Sequence, residues 1–174
     1  MGTEIGQRRE WDYAGETEWF LLDDSRHEML QYYVAELNHF YLRTPALWEI
    51  DDSWEGYRWI DPDNANESII SCRRMDRDGR EILAVVNFTP VVREDFLLGV
   101  PEAGIYEEIF NSDLECFGGS GVTNTQELRS SAIPWNTFDH SIRLRLPPLG
   151  ILILEYKKKD GDFQAGTHKS LDLP

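Results

Sequence analysis

Basic residues are scarce in this chain of 174 residues: 17 lysines and arginines stand against 32 aspartates and glutamates, a net charge of −15. Such a surface repels phosphate backbones and anionic headgroups, which argues against nucleic acid and membrane surfaces as partners. The one basic cluster, Lys157-Lys158-Lys159, precedes a polar tail and reads as a solvated end. Long apolar runs are missing as well. None approaches the roughly 20 residues of a membrane span, no leader pattern opens the chain, and a cytoplasmic protein is expected. Cysteine is limited to Cys72 and Cys116, which should stay reduced in that compartment, Cys72 as a small core residue of a strand. The histidines, His27, His39, His140 and His168, share no metal-ligand spacing with each other or with cysteine, so neither a metal site nor a cofactor is expected.

What is present is ordinary for a globular chain: 41% hydrophobic and 28% charged residues, long enough for one domain with a real core. Residues 1–22 show no period but carry Trp11, Tyr13, Trp19 and Phe20, aromatic anchors that need a surface to pack on. Ser25-Arg26-His27-Glu28 has the hydroxyl and carboxylate spacing of a capping box. Behind it Met29, Leu30, Tyr33, Val34, Leu37, Phe40 and Tyr41 recur at helical spacing, until Thr44-Pro45 stops the run. One helix over 25–43 follows. After Pro45 come short β-rich runs at 57–60, 68–74, 81–88, 91–98, 105–110, 141–146 and 151–156, and Asp78-Gly79 marks a hairpin between two of them. Residues 118–131 form a long polar excursion, and 157–174 are expected to be a disordered polar tail. Many short strands with no helix between them imply a mainly β fold, an antiparallel β-sandwich preceded by one α-helix.

Several phrases, taken in order, carry a resemblance. Met1-Gly2-Thr3-Glu4-Ile5-Gly6-Gln7 runs into Trp11, and Leu37-Asn38 and Pro45-Ala46-Leu47 bracket the end of the helix. Gly56-Tyr57-Arg58-Trp59-Ile60-Asp61, Val86-Asn87-Phe88-Thr89-Pro90 and Gly99-Val100-Pro101 follow. Asn111-Ser112-Asp113, Gly118-Gly119-Ser120-Gly121 and Leu146-Pro147-Pro148-Leu149 close the series. Together they resemble the C-terminal region of bacterial 1,4-α-glucan (glycogen) branching enzymes of the α-amylase superfamily. The resemblance implies that residues 1–44 are the end of a catalytic barrel, loop plus last helix, and that 45–156 form the C-terminal all-β sandwich beside it. It also implies a parent enzyme that transfers α-1,4-glucan segments to make α-1,6 branches in glycogen, through a retaining pair of carboxyl groups. Those catalytic residues belong to earlier barrel strands. Nothing here matches their motifs, so the chain itself is expected to be inactive. Glu4 and Gln7 match the family's loop after the last barrel strand, where residues face the cleft of a complete enzyme. The resemblance implies that there they either bind substrate and shape the glucan cleft or only hold the loop by hydrogen bonds.

Tryptophan is plentiful: Trp11, Trp19, Trp48, Trp54, Trp59 and Trp135. Aromatic faces stack on glucose, yet they also fill cores and domain seams. Trp59 is expected in the core or at an inter-domain contact, and Trp48 and Trp54 in a connector seam. Trp135, in the Pro134-Trp135-Asn136 turn, is the possible glucan contact. Two roles therefore stand: a scaffold that stabilises the barrel and shapes the approach to its cleft, or a noncatalytic module that binds α-glucan. Lacking a barrel, the helix and residues 1–22 should be less stable than the sandwich, their aromatics folding back on the sheet or driving self-association.

Overall fold

Apolar residues occupy both parities of Glu81–Asn87 (β3) and Gly150–Lys157 (β8), and a strand of that kind must be covered on both faces. In the computed structural model, which describes residues 2–10 and 12–157, it is. The remaining strands are β1 (Tyr57–Asn64), β2 (Ile69–Met75), β4 (Arg93–Val100), β5 (Ile105–Asn111), β6 (Leu128–Arg129) and β7 (His140–Leu146). One sheet runs β1-β2-β3-β8-β5-β6 and the other is the pair β4-β7, with every pairing antiparallel. The sandwich expected from the sequence is the architecture found. Between the sheets lie Leu83, Val85, Leu152 and Leu154 from the centre of the larger one and Leu98, Val100, Ile142, Leu144 and Leu146 from the smaller. The interleaved residues Ile82, Ala84 and Ile153 point the other way, into a second cluster with Phe40 and Phe110.

That second cluster is closed by α1 (Ser25–Arg43). Phe40 packs on Phe110 with ring centroids 4.9 Å apart, and Tyr33 stands edge-on to Phe117 at 5.3 Å. These helix aromatics are folded back on the sheet. The helix spans the residues its periodicity requires, but its cap lies one residue before the expected box. Asp24 is the N-cap and its carboxylate accepts from the Arg26 N–H at 3.0 Å, while Ser25 is already helical. The Arg26 guanidinium, bonded to the same carboxylate, holds Asp24 well below the usual carboxylate range. A further correction concerns the tail. Lys157 is the last residue of β8, paired with Ile105 and ion-paired with Glu107; residues 158–174 lie outside the described residues. The two-residue β6 sits inside the stretch expected to be an excursion. No helix among the described residues is long and apolar enough to cross a membrane.

The phrases that carry the resemblance turn out to be hydrogen-bond hubs. Buried Asn87 donates from Nδ2 to the carbonyls of Val91 and Pro147, both at 2.8 Å, and its Oδ1 accepts from the Thr89 N–H and hydroxyl. Asp113 accepts from the N–H groups of Ser120 and Val122 and from the Ser120 hydroxyl. Gly119 is required there, because a Cβ would sit 2.3 Å from the Asp113 backbone. Replacing Asn87 by alanine leaves two carbonyls without their donor, and each unsatisfied buried group costs about 1–3 kcal/mol. Urea unfolding of Asn87→Ala should show a loss of about 3 kcal/mol at unchanged m value, whereas exposed Phe88→Ala should stay within about 0.5 kcal/mol. Equal losses would contradict the assignment of Asn87 as the hub.

Candidate functional site

The N-terminal loop is organised by one buried carboxylate. Glu18 accepts from the Arg8 N–H at 3.0 Å and the Arg9 N–H at 3.3 Å and pairs with the Arg9 guanidinium at 3.2 Å. Gln7 is tied into the same knot. Its Oε1 accepts from the Glu18 N–H at 3.4 Å, and its side chain folds over Gly2, which has a left-handed φ of 73°. His27 of α1 meets the Ile5 carbonyl at 2.6 Å, and the completely buried Ile5 side chain fixes the loop to the helix. Glu4, on the 3-10 turn Thr3–Ile5, is exposed. The structure thus places Gln7 in a loop-holding role and leaves Glu4 facing solvent. Trp11 lies outside the described residues.

Several large apolar side chains near this loop and along α1 are exposed. Phe20 is 64% exposed and Leu42, at the far end of α1, is 69% exposed; Tyr13, Trp19 and Tyr41 are exposed as well. Trp48 is exposed too, its indole N–H donating to the Tyr41 carbonyl at 3.0 Å and so closing the helix C-terminus.

A second row lies on the outer edge of the large sheet. Because Ile60 points between the sheets, Tyr57 and Trp59 point to the opposite face, with Trp54 beside them. The Tyr57 ring stands edge-on to Trp59 at 5.1 Å and 6.3 Å from Trp54, and the Arg74 guanidinium lies over it. Trp59, expected in the core or at a contact, is 44% exposed in this chain, and Cys72 opposite it is half-buried. The sequence showed the aromatic types at these positions, but not which face of the sheet would stay open.

Trp135 sits on a rigid tight turn. Asn136 and Thr137 both adopt left-handed φ, and Trp135 and Phe138 exchange backbone hydrogen bonds of 3.0 and 2.9 Å. The Asn136 side chain accepts from the Gly99 N–H at 3.0 Å and donates to Asp61 at 3.1 Å. A Cβ on Gly99 would lie 2.2 Å from the Trp135 carbonyl, so only glycine allows this approach. The indole, 48% exposed, lines a groove of about 480 Å³ with Asn64, Glu67 and Arg93. Two further carboxylates that border the groove are taken up by arginines, Asp95 by Arg143 and Glu94 by Arg145. These surfaces can bind and dock; their residues do not assemble a nucleophile with a base.

The alpha amylase, C-terminal all-beta domain family matches residues 59–157. The 1,4-alpha-glucan branching enzyme of Halothermothrix orenii is 45% identical over 156 residues, 89% of this chain and 25% of the relative. That of Aromatoleum aromaticum is 43% identical over 88% of this chain and 24% of its own length. The chain therefore spans about a quarter of the length of these relatives. Among solved structures, the alpha-amylase from H. orenii aligns with a TM-score of 0.46 and 17% identity, over 84% of this chain and 25% of that one.

The Tyr57 environment has a consequence that pH reads directly. Burial, followed by the neighbouring Cys72 thiol, pushes its phenol up to about 12 against the opposing pull of Arg74. An unfolded tyrosine ionises near 10, so this stabilisation is fully present below about pH 10 and is lost as pH rises through about 12. The Tyr57 ring carbon resonance should therefore titrate near 12, and stability should fall over the same range. Ionisation near 10 would contradict the packed row.

Proposed function

We propose, because this chain belongs to the alpha amylase, C-terminal all-beta domain family, that it is the C-terminal region of a cytoplasmic 1,4-α-glucan branching enzyme and serves there as a scaffold. The observation that carries this reading is the exposure of large apolar side chains at both ends of α1, Phe20 on the turn before it and Leu42 near its C-terminus. Exposed apolar patches of this kind mark missing partners. Similarity to branching enzymes over 89% of this chain supports the enzyme's own catalytic barrel as that partner. On this reading residues 1–44 complete the barrel, and the strands from Tyr57 onward form the β domain beside it. The barrel supplies the carboxyl groups that cut an α-1,4 bond and form the α-1,6 branch. This chain supplies none of them. Glu4, which is exposed, and Gln7, which fixes the loop beneath it, would then border the glucan cleft of the complete enzyme.

A second role is favoured by one specific observation, the exposed Trp135 indole on its rigid turn: binding of α-glucan away from the catalytic centre.

Docking is tested by a pair of substitutions, Phe20→Ser with Leu42→Ser. In this chain both side chains face solvent, so the unfolding free energy should change by no more than about 0.5 kcal/mol. In the intact branching enzyme the same pair should lower the thermal midpoint by about 2 °C or more. An unaffected intact enzyme would show that this surface is not a domain contact.

A further inference from the structure

The small sheet has two strands and therefore two free edges. In an antiparallel pair, alternate residues turn both backbone groups away from the partner strand. Ser141 of β7 spends its N–H and C=O on Ser131, at 3.1 and 2.9 Å, which puts Ser141 and its partner Gly99 in the outward set. Arg143 and Arg145 of β7, and Leu97 of β4, belong to the same set. Two asparagines close part of these edges. Asn136 accepts from the Gly99 N–H, and Asn124 both accepts from the Arg145 N–H at 2.8 Å and donates to its carbonyl at 2.9 Å. Among the described residues nothing closes Leu97. Leu97 lines the groove together with Trp135, and successive residues 92–97 border it, as expected where a groove runs along a strand edge.

We propose that this groove binds a short stretch of neutral α-glucan. A glucose unit would stack its CH face on the Trp135 indole, and its hydroxyls would accept from the Leu97 N–H and donate to the Leu97 carbonyl. Arg93 supplies further donors. Its guanidinium donates to the Glu67 carbonyl at 3.3 Å and is ion-paired with the Glu67 carboxylate at 3.7 Å, beyond hydrogen-bond length, so the paired end still has N–H groups to offer a hydroxyl. Pairing of Glu67 with Arg93, of Asp95 with Arg143 and of Glu94 with Arg145 leaves the groove without excess charge, which suits a neutral polyhydroxyl ligand. An extended peptide is disfavoured, because strand addition needs a run of open edge. Here the run is stopped at Gly99 by Asn136 and broken between Arg93 and Phe96 by an irregular register. At about 480 Å³ the groove lies within the range of small-ligand sites, about 300–1,000 Å³.

This inference rests on the second role given above, and one titration separates its failure from the failure of that role. Maltohexaose is added to the full chain while backbone amide and indole NMR signals are followed. The Leu97 amide and the Trp135 indole should shift together and saturate, with a dissociation constant insensitive to salt. Trp135→Ala should weaken binding about tenfold with the rest of its spectrum retained, and Trp59→Ala should leave it unchanged. Saturable shifts at Trp54 and Trp59 with Leu97 and Trp135 silent would overturn this site while keeping glucan binding. No saturable shift anywhere would overturn both.

Discussion

Everything else in this domain depends on the two-sided burial of β3 and β8. Leu83, Val85, Leu152 and Leu154 need the small sheet over them, and Ile82, Ala84 and Ile153 need a cover on the other face. A lone sandwich would leave the second set in water. The helix supplies the cover through Phe40, Leu37 and Tyr33, with Phe110 of β5 as the common contact. Burying a large apolar side chain is worth about 1.5–3 kcal/mol, so the outer layer is a substantial part of the fold. Three layers result.

The third layer also explains where the unused surface is. With its inner face committed to the sheet, α1 leaves Leu42 exposed near its C-terminal end, and Phe20 and Trp19 are exposed on the turn before its N-terminal end. The helix thereby completes this domain with one face and leaves side chains of the other exposed. The acidic excess of the chain favours a neutral partner over any polyanion.

Much of this was legible in the sequence. Helical spacing located α1 to the residue, and β-rich runs located every strand but β6, which has two residues and no periodicity to detect. The cap was misplaced because Asp24 and Ser25 are both good capping types, and only the backbone shows which one stands before the first turn. Trp59 illustrates a deeper limit. Alternation with Ile60 puts it on the opposite face of the sheet, but how far the helix covers that face is a tertiary fact. Lys157 is likewise drawn into β8 by pairing with Ile105, remote in sequence. The groove beside Trp135 was illegible for a related reason: it depends on left-handed φ at Asn136 and Thr137 and on an edge left open at Leu97. None of these has a composition signal. The Trp135 position itself was visible, since proline and asparagine flank it in a turn.

Amide hydrogen exchange on Phe110→Ala compared with the unaltered chain is the most direct test of the three-layer account. The account predicts that α1 amides near Phe40 are protected in the unaltered chain and lose that protection in the variant, while β4 and β7 keep theirs. A helix that exchanges freely before the substitution, or is untouched by it, would mean that α1 is an appendage and not the layer that completes the fold.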